Sequence, residues 1–162
     1  MRWFTISELL YSRTAVERRI WNGATAPIEA SLTALVDSVL DPARERYGRA
    51  VYVSSGYRCP ELNRIVGGSR QSQHLKGEAA DLLTSAGPAG NLELARIIVA
   101  LGNWDQLILE NVGPHDLLPK WVHVSWKPYG PNRHEIRKCV VGTKQYPLVS
   151  VSLFSCKTPC RL

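Results

Sequence analysis

Ser72-Gln73-His74-Leu75-Lys76-Gly77-Glu78-Ala79-Ala80-Asp81 is the run on which the reading of this chain turns. Its histidine and aspartate are seven residues apart with a glycine between them. On one continuous helix the two side chains would share an azimuth but stand roughly 10 Å apart along the axis. Gly77 is therefore expected to turn the chain back, so that the polar stretch 69–77 leads into a small-residue strand through Ala80-Asp81-Leu82-Leu83. A second stretch, Trp121-Val122-His123-Val124-Ser125-Trp126, complements it. Strand alternation puts Trp121, His123 and Ser125 on one face and the two valines on the other.

Working outward, Thr5-x-x-Glu8 and Thr14-x-x-Glu17 both read as capping boxes, which predicts two short N-terminal helices. Pro27 opens a longer helix with apolar positions Ile28, Leu32, Leu35, Val36, Val39 and Leu40, interrupted at Pro42. Residues 50–54 have strand character, and 60–66 form a short helix stopped by Gly67-Gly68. Asn91 is expected to cap a helix with Leu94, Ile97, Ile98 and Leu101 on its buried side and Gly102 after it. Residues 104–110 and 121–126 read as two strands joined by a turn containing Gly113-Pro114, and 148–154 as a last strand. Helices first and a mainly antiparallel sheet afterwards make an α+β domain.

A chain of 162 residues suits one compact domain that buries its own core without staples. No apolar run reaches the roughly 18 residues of a membrane span. Residues 1–12 lack the apolar core of a signal peptide, because Ser7, Glu8 and Ser12 interrupt it. Synthesis in the cytoplasm is the expectation that follows. The net charge of +6 sits entirely after residue 126, where seven basic residues face Glu135 alone. Such a basic end attracts an anionic wall or membrane polymer. Nucleic acid is the weaker partner, because no stacking platform or binding motif accompanies the charge. Cys156-x-x-x-Cys160 is half of a zinc pattern without its other half; in a cytoplasmic product the four cysteines, Cys59, Cys139, Cys156 and Cys160, are expected to be mostly thiols, and the tail pair could join after release into an oxidising space.

Two imidazoles and a carboxylate from His74, Asp81 and His123 are a suitable donor set for catalytic zinc, with a position left for water. Such an ion supplies what amide hydrolysis needs. Spacing alone leaves the other reading open, in which His123 is a hydrogen-bonded structural residue of its strand. Other divalent ions also accept such donors.

The pattern Ser-x-His-x-x-Gly-x-x-x-Asp followed by Trp-Val-His-Val-Ser resembles the zinc D-Ala-D-Ala carboxypeptidase family. These are LAS-type metallopeptidases, and the likeness is strongest to their compact phage and bacterial branch. Residues 4–10, 40–42, 54–63, 66–69 and 105–110 also match in order, so the resemblance runs from about residue 3 to 127. It implies a hedgehog/D-Ala-D-Ala peptidase-like fold, with N-terminal helices packed on a small sheet that carries the metal site. It also implies a zinc peptidase domain over 1–128 and a basic extension over 129–162, packed on or tethered to the same domain.

The function so implied is hydrolysis of an amide bond in peptidoglycan stem peptide. A D-Ala-D-Ala carboxypeptidase and a phage-type endopeptidase or endolysin both fit, acting as a monomer on the wall after release or from a virion. Zinc would be held by His74, Asp81 and His123. Arg58 matches the family arginine that faces substrate near the metal, where a guanidinium suits a carboxylate or oxyanion. Ser72 matches a family serine near the substrate, and Tyr57, just before Arg58 in the matching stretch, is taken with it as substrate-binding. Trp121 is a core or rim aromatic that could also form a wall of the substrate groove.

One position departs from the pattern. Many relatives carry a general-base glutamate three residues before the last histidine ligand, and this chain has Lys120 there. Glu110 matches a glutamate of the compact branch and is the candidate base. If Glu110 pairs with Trp121 across the hairpin, Ile108 lies opposite His123 and alternation brings Glu110 to the ligand face. His115 and Asp116 in the turn are the reserves. Lys120 also supports a rival reading, a non-hydrolytic wall-binding or virion module that keeps its metal for structure.

Overall fold

The computed structural model describes residues 1–154. Helices α1 (Ile6–Leu10) and α2 (Arg13–Arg18) lead into α3 (Ala26–Leu35). Thr5 and Glu8 complete the expected capping box. The second box does not form. Ser12 caps α2 by accepting from the Ala15 amide, and Glu17 instead pairs with Arg13 one turn back. Pro42 does not interrupt the long helix either. A single π-helical turn, Val36–Leu40, carries α3 directly into α4 (Asp41–Tyr47), and Leu32, Leu35, Val36, Val39 and Leu40 are buried along one continuous ridge. An extra residue in the turn is the usual way a helix absorbs such a break.

Five strands form one sheet in the order β1 (Val51–Ser55), β2 (Ala79–Thr84), β4 (Trp121–Ser125), β3 (Gln106–Val112), β5 (Glu135–Val140). The first three pairings are antiparallel, and β5 adds parallel to β3 at the edge. One face is apolar: Ala80, Leu82, Leu107, Leu109, Val122, Val124 and Ile136 are all buried in the core with helix residues Leu94, Ala95 and Ile98. Each large side chain so buried contributes about 1.5–3 kcal/mol relative to exposure. The opposite face is left for the site.

After the short α5 (Pro60–Ile65), those helix residues belong to α6 (Gly87–Leu101), which starts earlier than expected because Gly87-Pro88 opens it. Asn91 lies inside the helix and is buried. Its side chain accepts from the Thr84 amide and donates to the carbonyls of Pro119 and Lys120, clamping the end of β2 to the start of β4. The last expected strand, 148–154, is absent. Leu148 makes a lone bridge to Arg137, and Val151–Phe154 is a 3-10 turn that buries Phe154. No described helix is long and apolar enough to cross a membrane.

The segment after β4 is bound to the sheet through a buried carboxylate. The Asp105 side chain has no exposed surface and accepts from the Arg133 amide at 2.8 Å and from its guanidinium at 2.6 Å, with Lys127 Nζ 3.2 Å away. Burial works to raise the Asp105 carboxyl, but hydrogen bonds from Arg133 and Lys127 outweigh it and bring the group down to about 2. Asp105→Asn is expected to cost about 1–2 kcal/mol at pH 7, because the partners stay half-exposed and screened. The folded state holds the carboxyl below its ordinary value near 4, so the benefit exists above that pH and disappears as pH falls through about 2. Urea unfolding of both proteins between pH 6 and pH 2 should show the difference shrinking; a constant gap would contradict this ion-pair account.

Candidate metal centre

His74 enters the site from a short 3-10 turn, Gln73–Lys76, closed by Gly77 at φ +70°. A Cβ on Gly77 would stand 2.8 Å from the Ile28 carbonyl oxygen, so both the backbone angle and the space require glycine. This is the turn-back that lets β2 start at Ala79 and bring Asp81 beside His74. Asp81 and His123 are direct partners across the β2–β4 ladder, so their side chains share a face.

The three inward donor atoms form a near-equilateral triangle. His123 Nδ1 lies 3.0 Å from Asp81 Oδ1 and 3.1 Å from His74 Nε2, and His74 Nε2 lies 3.3 Å from Asp81 Oδ1. Tetrahedral zinc with bonds of about 2.0–2.1 Å sets its donors about 3.3 Å apart, so the residues fit the ion. The outer shell also fits. His74 Nδ1 is 2.6 Å from the Gly56 carbonyl, which can only accept, so the ring donates there and turns an unprotonated Nε2 inward. Asp81 is oriented through its other oxygen by Arg58 Nη2 at 2.6 Å, and Arg58 Nε donates to Ser55 Oγ. Burial opposes ionisation of Asp81, yet the facing imidazoles of His74 and His123 hold its carboxyl well below the usual range.

This triangle lies on the wall of a groove of about 990 Å³. The β3–β4 ladder pairs Glu110 with Trp121 and Ile108 with His123, the register on which the placing of Glu110 depends. Glu110, Trp121, Ser72 and Arg58 all line the groove. Burial pushes the Glu110 carboxyl above its ordinary value; Asp81 adds to the rise while His123 and Arg58 oppose it. The Ser72 hydroxyl makes no hydrogen bond among the described residues, so it is free toward the groove. Tyr57 stands elsewhere. It packs into the hydrophobic core and does not line the groove, and its amide donates to the Leu9 carbonyl of α1. Lys120 is exposed outside the groove, and Asp116 is occupied in its own turn, accepting from Gly113 and Leu118 amides.

Sequence reading missed one wall. Arg133, Glu135, Arg137, Lys144 and Tyr146 also line the groove. In β5 the alternation Glu135, Arg137, Cys139 against Ile136 was the available signal, since β5 pairs Arg137 with Ile108 and so continues the metal face. Cys156 and Cys160 lie outside the described residues; Cys59 and Cys139 are free thiols.

An α+β domain with a His-Asp-His triangle in an open groove is the arrangement of a zinc metallopeptidase. A family model for peptidase M15 matches residues 2–125, and the chain belongs to that family, whose members are zinc-dependent. No curated protein matches the chain.

Gly77→Ala is expected to destabilise the fold by about 1–2 kcal/mol from the backbone angle alone and to weaken zinc binding by displacing His74. His123→Ala should remove stoichiometric zinc outright. Thermal unfolding and metal titration of the purified variants measure both; full zinc occupancy in His123→Ala would exclude this centre.

Proposed function

We propose that the protein hydrolyses an amide bond in the stem peptide of peptidoglycan, as a monomeric D-Ala-D-Ala carboxypeptidase or a phage-type endopeptidase. The observation that carries this reading is the strand register: Asp81, His123 and Glu110 come from three neighbouring strands and meet on one groove face. Zinc, when bound, supplies Lewis acidity that polarises a carbonyl and acidifies water. Glu110 takes a proton from the attacking water on its carboxylate and delivers it to the leaving amine nitrogen. The partly desolvated site favours this shuttle, because burial already makes Glu110 a stronger base than a free carboxylate. Arg58 holds Asp81 in place and offers its remaining N–H donors to a carboxylate or to the developing oxyanion. Trp121 provides an apolar side to the groove, and Ser72 a hydroxyl for the peptide backbone.

The action is on the wall, because that is where the substrate is. The basic extension adds attraction toward anionic wall polymer. The rival reading, a non-hydrolytic module, rests on Lys120, whose side chain is exposed and outside the groove that Glu110 lines.

Hydrolysis of purified peptidoglycan with masses of the released fragments tests the proposal and identifies the bond. Glu110→Gln is expected to lose about 10²–10⁴-fold in rate while retaining zinc, and Lys120→Ala to keep both. No release from several wall types by the zinc-loaded wild type would defeat the enzyme reading.

A further inference from the structure

The family match ends at residue 125, but the groove does not. Its outer side is built by residues 133–146, which follow β4, run through β5 and return along that strand's free edge. The returning segment is held firmly: Arg137 donates to the Tyr146 carbonyl at 2.6 Å, and the Lys138 amide donates to that of Pro147. This wall is therefore a fixed part of the groove.

Its charges are unequal in their pairing. Arg133 is bound to Asp105, and Arg137 to Glu135. On the rest of the rim Arg58 is bound to Asp81, and Arg13 to Glu17. Lys144 is the groove-lining cation that makes no ion pair among the described residues. The carboxylates of the groove are already engaged: Asp81 by its neighbours, and Glu135 by Gln106 and Arg137. Glu110 lines the same groove on β3, beside the strand that carries His123. An anion to match Lys144 has to come with the ligand. Tyr146, two residues on, also lines the groove.

Sheet order sets the scale of the distance across the groove. Two of the three metal ligands, Asp81 and His123, lie on β2 and β4, while Lys144 follows β5, two strand positions beyond β4. At about 4.8 Å per strand the separation is roughly 10–14 Å. An extended peptide rises about 3.3 Å per residue, so the anion sits about three to four residues from the bond at the metal.

We propose that Lys144 forms a second subsite that selects peptides carrying a carboxylate about three to four residues from the scissile bond. The proposal rests on the peptidase reading and deepens it, by assigning a specificity-determining role to the extension rather than to the family core.

The test uses the full zinc-loaded chain and two sets of synthetic stem-like peptides, identical except for a side-chain carboxylate or carboxamide at the third or fourth residue. Equilibrium binding and cleavage are both measured. Wild type is expected to bind the carboxylate form about 3–10-fold more tightly, with the margin falling as salt is raised. Lys144→Gln should bring the carboxylate peptide down to the level of the carboxamide, and Lys144→Glu should invert the order. Lys144 is exposed, so these variants are expected to fold and to hold zinc, which metal content verifies. Equal binding of both forms by a wild type that still cleaves them overturns the subsite and leaves the peptidase reading in place. Failure to bind or cleave either form defeats both.

Discussion

Register across the central ladder is the constraint on which the site depends. Asp81 opposes His123, His123 opposes Ile108, and Glu110 follows two residues along. Because side chains alternate with period two, a one-residue slip of β4 would send His123 into the apolar core and Val122 into the groove. The cost of that slip is large, since Val122 and Val124 would both exchange burial for exposure while His123 was buried among Leu107 and Leu109. Hydrophobic packing on the helix side therefore holds the metal ligands in line on the other side. Asn91 reinforces the same alignment by tying Thr84 to Pro119 and Lys120 at the strand ends.

The third ligand comes by a different route. His74 is on no strand, and its position depends on the Gly77 turn below it and the Gly56 carbonyl beside it. Gly56 itself packs against the backbone of Leu9, so the N-terminal helix α1 fixes the carbonyl that fixes the imidazole. Helix α1 thus bears on the metal through backbone contacts alone. Two scaffolds, a sheet ladder and a loop braced by α1, converge on one triangle.

The parts of this arrangement that were legible in the sequence are those with a short-range cause. Alternation in residues 121–126 exposed the face of His123, and the glycine between His74 and Asp81 exposed the turn. What was not legible depended on tertiary partners. Asn91 has the chemistry of a cap, but Gly87-Pro88 starts the helix a turn earlier, and the side chain is used across the sheet instead. Residues 148–154 have apolar, β-branched content, yet only Val149 and Phe154 are buried, at a spacing that suits a turn better than a strand. β5 escaped notice because its groove face carries Glu135 and Arg137, which look like a solvated surface until Ile108 and Gln106 are placed beside them. Tyr57 and Arg58 are adjacent in the sequence, yet Tyr57 is buried in the core and Arg58 lines the groove, since neighbours along a loop need not face the same way.

The extension also changes the meaning of the charge asymmetry. Read along the chain, the basic residues after 126 look like an unattached tail suited to a polyanionic surface. In three dimensions Lys127 and Arg133 are used to neutralise the buried Asp105, and Arg137 to pin a groove wall through Glu135 and the Tyr146 carbonyl. Asp105 lies immediately before β3, the strand that carries Glu110. The same carboxylate that anchors the extension therefore also anchors the start of the strand that places the base candidate. An extension fastened there cannot shift independently of the reactive side of the groove, which makes it suited to selecting a ligand's shape and charge rather than merely holding the protein near its target.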